Sequence, residues 1–218
     1  MRFRAIYISM LCGLLLTACG GVGAEKTTTA VSPQTFVFEC EQSYTFTARI
    51  EGEQAWLFLP EKTISMSLVS SGSGIEYSDG KMVFWNKGDE ARLASAPNVQ
   101  HVCRNNRYLA IWEHAKLKGV DFRAVGNEPG WYLEISKGRK LLFVSDYGQS
   151  RYEFDTPEPE GDAVNRRTVY RSRKNGHSLE VLLLGQKCRD TMRGDLFEST
   201  VMVTLDGRAY KGCGKALH

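Results

Sequence analysis

From Thr35 onward the chain is cut into short segments by turn residues, and this punctuation limits the folds open to it. Runs with strand character at Thr35–Cys40, Tyr44–Ile50, Ala55–Leu59, Ile64–Val69, Lys81–Trp85 and Tyr108–Trp112 are separated by Gly, Ser, Asn, Asp or Pro. Almost no stretch carries a helical period. Short, evenly spaced strands of this kind predict a small antiparallel barrel or sandwich, and closure into a barrel would also remove exposed edges. A second set of runs, Trp131–Ile135, Lys140–Ser145, Arg151–Phe154, Arg167–Ser172, Leu179–Leu184 and Thr200–Leu205, predicts another antiparallel β domain. The fold class expected is therefore all-β in two parts, at 35–115 and 119–218, joined by the short stretch from His114 to Gly119.

The first residues read as an export signal. Arg2 and Arg4 precede an apolar run, Ala5 to Leu16, that is too short to span a bilayer, and Leu16-Thr17-Ala18-Cys19 is placed as a bacterial lipobox. On this reading residues 1–18 are removed, Cys19 is acylated, for example with palmitate, and 19–34, rich in Gly, Thr, Ser and Ala, is a tether. The residues after Cys19 include no neighbouring aspartate, which points to the outer membrane. The expected site is the bacterial envelope, with Cys19 as the membrane anchor.

With Cys12 lost and Cys19 acylated, four cysteines remain: Cys40, Cys103, Cys188 and Cys213. Four allow three connectivities, and their clustering along the chain favours Cys40–Cys103 and Cys188–Cys213. In an oxidising periplasm such bonds act as staples.

The stretch Ser70 to Leu93 is the most specific in the sequence. A Gly/Ser turn, Ser71-Gly72-Ser73-Gly74, leads through Ile75-Glu76-Tyr77 to Asp79-Gly80, expected as a type I′ hairpin turn. The apolar run Met82-Val83-Phe84-Trp85 follows, with Phe84 and Trp85 facing core and surface in turn, and ends at a charged turn, Asn86-Lys87-Gly88-Asp89. Ser73 and Lys87 are thereby expected on loops at hairpin ends, free to meet a partner.

Ser73-Gly74-Ile75-Glu76-Tyr77 followed by Phe84-Trp85-Asn86-Lys87-Gly88-Asp89-Glu90-Ala91 resembles the signature of the membrane-bound c-type lysozyme inhibitors, the MliC/PliC family. The resemblance covers roughly Phe36 to His114. It implies an eight-stranded antiparallel barrel, a c-type lysozyme as partner, and insertion of the matching serine and lysine, Ser73 and Lys87, into the lysozyme active site. Tyr77 matches a family tyrosine expected beside the loop, and Gly74 and Gly88 permit tight turns. The usual family member is one domain; here about a hundred residues follow. In those residues Gly126-Asn127-Glu128-Pro129-Gly130-Trp131, Cys188-Arg189-Asp190-Thr191-Met192-Arg193-Gly194 and Tyr210-Lys211-Gly212-Cys213-Gly214 resemble a domain of bacterial envelope lipoproteins, a resemblance that brings no activity with it. The alternative reading is a non-inhibitory envelope module that binds peptidoglycan or another envelope protein, partners expected above all for this part.

Charge adds weak support. Residues 35–114 hold ten acidic and seven basic residues, a net of −3 within a chain of +3, and an acidic surface suits a basic lysozyme. The small overall excess gives no reason to expect nucleic acid as a partner. Enzymatic readings fail on spacing. Ser71-Gly72-Ser73-Gly74 lacks the first glycine of a nucleophile elbow, Gly212-Cys213-Gly214-Lys215 lacks a phosphate loop, and His101, His114, His177 and His218 show no metal-ligand spacing. Neither a catalytic residue nor a cofactor is expected.

Overall fold

The computed structural model describes residues 32–96 and 99–218. The expected signal segment, Cys19 and most of the tether lie outside the described residues.

Eight strands form the first part: β1 (Gln34–Cys40), β2 (Thr45–Glu51), β3 (Gln54–Phe58), β4 (Thr63–Val69), β5 (Ile75–Ser78), β6 (Val83–Lys87), β7 (Glu90–Ala96) and β8 (Val99–Asn105). Each pairs antiparallel with its neighbour in sequence, and β1 pairs with β8 to close a barrel. Strand alternation fills the interior: Phe46, Ala48 and Ile50 from β2, Ala55 and Leu57 from β3, and Ala91 and Leu93 from β7 are buried there. Phe38, Phe46 and Phe84 meet at ring-centroid distances of 5.3–6.0 Å, and each large side chain buried this way contributes roughly 1.5–3 kcal/mol.

The closing seam has a covalent bond across it. Cys40 lies directly opposite Cys103 in the β1–β8 ladder, and the two form a disulfide. Beside it, Asn105 accepts from the backbone N–H of Val37 at 3.1 Å, and the N–H of Asn106 reaches the carbonyl of Val37 at 2.7 Å.

Helix α1 (Arg107–Leu117) corrects the expectation of a strand at Tyr108–Trp112 and of a plain connector at 114–119. Its start is set by Asn106, whose side chain accepts from the N–H of Leu109 at 3.1 Å. Its end is a Schellman motif: Gly119, at φ +75°, donates to Lys116, and Val120 donates to Ala115. The five apolar residues Tyr108 to Trp112 suit either element, and the flanking Asn106 and Gly119 are what separate helix from strand. The helix lies against β1, with Thr35 Oγ1 3.0 Å from His114 Nδ1 and Arg49 donating to the Leu117 carbonyl at 3.3 Å. On another side Trp112 and Ala115 pack with Val120, Phe197, Cys213 and Leu217.

The second part is a sheet of β9 (Phe122–Asn127), β10 (Gly130–Ser136), β11 (Lys140–Ser145), β12 (Ser150–Asp155), β13 (Glu160–Asp162), β14 (Arg167–Lys174), β15 (His177–Leu184), β18 (Ser199–Leu205) and β19 (Arg208–Ala216). Between β15 and β18 run the two-residue strands β16 (Cys188–Arg189) and β17 (Leu196–Phe197), which pair with each other. The large sheet is ordered β12-β11-β10-β9-β19-β18-β15-β14-β13 and antiparallel throughout. It curls into a half-barrel: Ser172 of β14 donates to the carbonyl of Asp155 in β12 at 3.1 Å, and Lys174 pairs with the Asp155 carboxylate at 2.8 Å. The concave face encloses Leu133, Ile135, Phe143, Phe154, Val181, Val201 and Val203, among others. The Trp131 indole packs where β9 and β19 carry Gly126 and Gly212; a Cβ at either position would collide with it. The Cys188–Cys213 disulfide ties β16 to β19, and the buried carboxylate of Asp190 beside it accepts from Asn127 Nδ2 at 2.6 Å and from the N–H of Arg193 at 2.7 Å.

Two further expectations are corrected. The β5–β6 connection is not a two-residue type I′ turn, because Ser78 pairs with Val83 and leaves four residues between them. Asp79 organises that loop instead, accepting from the N–H groups of Lys81 and Met82. In addition, β7, β8, β9, β13 and β19 complete the two sheets from sequence in which no strand is expected.

Opening the Cys40–Cys103 bond by Cys40→Ala/Cys103→Ala is expected to cost roughly 2–4 kcal/mol. Urea unfolding followed by tryptophan fluorescence measures this; a loss under about 0.5 kcal/mol would mean that the seam holds without its staple.

Candidate functional site

Register brings Ser73 and Lys87 to one end of one hairpin. Ile75 of β5 stands opposite Asn86 of β6, so the residues just beyond, Ser73-Gly74 on one side and Lys87 on the other, leave the barrel together. The Asp79–Gly80 loop lies at the opposite end. Ser73 and Lys87 are both exposed, and among the described residues Lys87 makes no ion pair.

The serine loop is held from beneath. Trp85 Nε1 donates to the carbonyl of Ser73 at 2.7 Å, and Ser71 Oγ donates to the same carbonyl at 3.0 Å. Gly74 takes φ +74°, and a Cβ there would come 2.7 Å from Trp85 Nε1 and 2.9 Å from the Asn86 carbonyl. So glycine is needed for backbone and for space, and the indole that crowds it also fixes the loop. Arg92 covers the same indole at 5.2 Å, a cation–π contact that adds weight to the arrangement.

Lys87 is presented by a different device. Asn86 is only 5% exposed and turns its amide under the adjoining turn, donating to the Gly88 carbonyl at 3.2 Å and the Glu90 carbonyl at 3.3 Å. Gly88, at φ +63°, makes the turn. Asp89 then ties it down, accepting from Arg107 at 2.9 Å and 2.5 Å and from Asn105 Nδ2 at 3.1 Å. These hydrogen bonds, Arg107's first and Asn105's second, hold the Asp89 carboxyl below its ordinary pKa.

Tyr77 is placed differently from the other candidates. It is 1% exposed, stacks with Phe84 in the barrel interior at 6.2 Å and donates to the carbonyl of Gly52 at 3.1 Å. Its contribution is to fix β5 from inside, and it offers no surface to a partner. Burial raises its pKa. Around the tip, Leu68 and Val69 at the end of β4 and Ile75 at the start of β5 are exposed apolar side chains. Their exposure comes from lying at strand ends, since Leu68 and Ile75 pair with the inward-facing Tyr77 and Asn86, and apolar type alone does not signal it.

The barrel residues 38–99 match the family described as membrane-bound lysozyme-inhibitor of c-type lysozyme, MliC. A protein of Pseudomonas aeruginosa strain PAO1, named membrane-bound lysozyme inhibitor of C-type lysozyme, is 29% identical over 96 residues, which cover 37% of this chain and 76% of that protein. Over that stretch the barrel is similar to the MliC family. No solved structure matches the chain. The hairpin bearing Ser73 and Lys87 falls inside the matched stretch, and so do Trp85 and Asn86, which position it.

Asp89 gives this site a pH limit. A carboxyl with a depressed folded pKa contributes stability that is present above its unfolded pKa and lost as pH falls through the folded one. On acid titration the Gly88 amide resonance is expected to stay fixed through the ordinary aspartate range and to shift only below it. In Arg107→Gln the transition moves up toward that range. A wild-type transition at the ordinary position would remove Asp89 as the tie.

Proposed function

We propose that this protein is an envelope lipoprotein that inhibits c-type lysozyme by inserting the Ser73/Lys87 end of the β5–β6 hairpin into the lysozyme cleft. The observation that carries the reading is the convergence, at one hairpin end, of an exposed serine loop and an exposed lysine that makes no ion pair among the described residues, in a barrel similar to the MliC family.

The chemistry is complementary. A retaining lysozyme uses two carboxyl groups about 5 Å apart, one protonated and one ionised. The Lys87 ammonium is a compact cation suited to the ionised carboxylate, and the Ser73 hydroxyl donates or accepts as the other requires. Neither presents a glycosidic bond, so the cleft is filled without turnover. Gly74 and Gly88 let the two loops turn tightly, and Tyr77 secures the strand behind them. Leu68, Val69 and Ile75 supply an apolar shoulder that would exclude water around the charged contact, as the surroundings of an interface hot spot do. Because Trp85 and Asn86 fix both loops beforehand, little ordering entropy is lost on binding.

In this reading Cys19 carries the acyl chains that hold the inhibitor on the outer membrane, with the tether lifting the barrel away. Two chains or more make the anchor stable.

Two measurements test these parts separately. Losing one partner of a desolvated charge pair costs about 2–5 kcal/mol, so Lys87→Ala should raise the inhibition constant against cell-wall lysis by roughly 30- to 5,000-fold, with Ser73→Ala adding to it. Equal inhibition by wild type and Ser73→Ala/Lys87→Ala would end the loop mechanism. For the anchor, labelled palmitate should be incorporated by wild-type cells into the protein and not into Cys19→Ala; label in both would place the acyl group elsewhere.

A further inference from the structure

A cleft of about 1070 Å³ opens between the barrel, helix α1 and the outer face of β9, β10 and β11. It is at the upper end of the ~300–1,000 Å³ common for small-ligand sites. Its charge is one-sided. Arg107, Lys118, Arg123, Arg139, Lys140 and Arg151 line it, whereas among the described residues the lining carboxylates are Asp89 and Glu134.

Both of those carboxylates are already engaged, Asp89 by Arg107 and Glu134 by Arg123. Lys140 and Arg151 share the single carboxylate of Glu153. Arg139 meets the backbone carbonyls of Lys118 and Gly119, and neither Arg139 nor Lys118 has a carboxylate partner among the described residues. The cleft therefore holds positive charge in excess of what its own acids neutralise, and low-dielectric walls focus such a field.

The walls between the cations are apolar or aromatic. Ile75 and Ile111 are 46% and 52% exposed, and Phe36, Leu142 and Tyr132 line the same space. The Tyr132 ring is held by the Arg123 guanidinium at 4.5 Å, itself buried at 7% exposure. Asn105 adds an amide at the barrel side. Apolar patches alternating with cations and amides suit a ligand whose faces are C–H and whose edges are polar and acidic. Such a ligand is a sugar carrying a short acidic peptide, whereas an acyl chain would need an unbroken apolar channel.

We propose that this cleft binds a carboxylate-bearing glycopeptide, the kind of fragment released when lysozyme cuts the cell wall. The geometry stands on the cleft alone; the choice of a cell-wall fragment rests on the lysozyme-inhibitor reading. Lys118, Arg139, Lys140 and Arg151 receive the peptide carboxylates, and Tyr132 and Ile111 receive a sugar face. The site adjoins the inhibitory hairpin without sharing Ser73 or Lys87.

The test is direct binding in the absence of lysozyme, so it does not depend on whether the hairpin inhibits. Full-length protein in phosphatidylcholine nanodiscs is titrated calorimetrically with a purified disaccharide–tetrapeptide. Saturable binding is expected, at least tenfold weaker in Lys118→Gln/Arg151→Gln and restored in Lys118→Arg/Arg151→Lys. It should be lost when the peptide carboxyls are amidated, and be unchanged in Ser73→Ala/Lys87→Ala. Absence of saturable binding, equal binding by the Gln variant, or binding of dihexanoyl phosphatidylglycerol in place of the glycopeptide would overturn the proposal.

Discussion

The presentation of Lys87 depends on closure of the barrel between its first and last strands. The β1–β8 ladder is short, and its disulfide, Cys40–Cys103, joins residues 63 apart in sequence. Asn105, at the end of that ladder, faces two ways: its carbonyl oxygen accepts from Val37 on β1, and its amide donates to Asp89 beside Gly88. Barrel closure is thus passed directly to the turn that carries Lys87. A side chain that must meet a partner in one geometry is placed by a rigid scaffold, and its supporting residues matter as much as its own identity.

The serine loop reaches the same end by another route. Its support is the Trp85–Ser73 hydrogen bond together with the bare face of Gly74. Two adjacent residues of β6, one outward and one inward, therefore hold the two loops: Trp85 from outside the barrel and Asn86 from within. Strand alternation makes this division of labour possible, since neighbouring residues necessarily face opposite sides.

Much of the strand layout was legible because period-two patterns and turn residues are local signals. Gly74 could be assigned to a loop on the same basis, whereas Lys87 is the last residue of β6, beside the turn. What the residues alone left open was which loops meet, because pairing of Ile75 with Asn86 is a long-range choice made by the barrel. Tyr77 shows the opposite limit: its place beside the loop in sequence gave no hint that it points inward, hydrogen-bonded to Gly52. Tyr108–Trp112 does not declare itself a helix because five consecutive apolar residues carry no period, and this helix is apolar on more than one side since it packs against both the barrel and the half-barrel. Small inward residues such as Ala91 hid β7. The cleft could not be read at all, for its cations come from α1 and the turn after it, from β9, β11 and β12 and from the β10–β11 turn, which are far apart in sequence.

The connection through α1 has a mechanical consequence. β8 ends at Asn105 and the helix begins at Arg107; the helix ends at Leu117 and β9 begins at Phe122. Neither junction is long enough to serve as a swivel, and Trp112 is wedged against the half-barrel while His114 and Leu117 are tied to β1 and β2. Occupants of the hairpin tip and of the half-barrel's outer face would consequently be held at a set spacing, as on a ruler. Any effect of one on the other's affinity would then be reciprocal and set by this spacing, with no contribution from tether length.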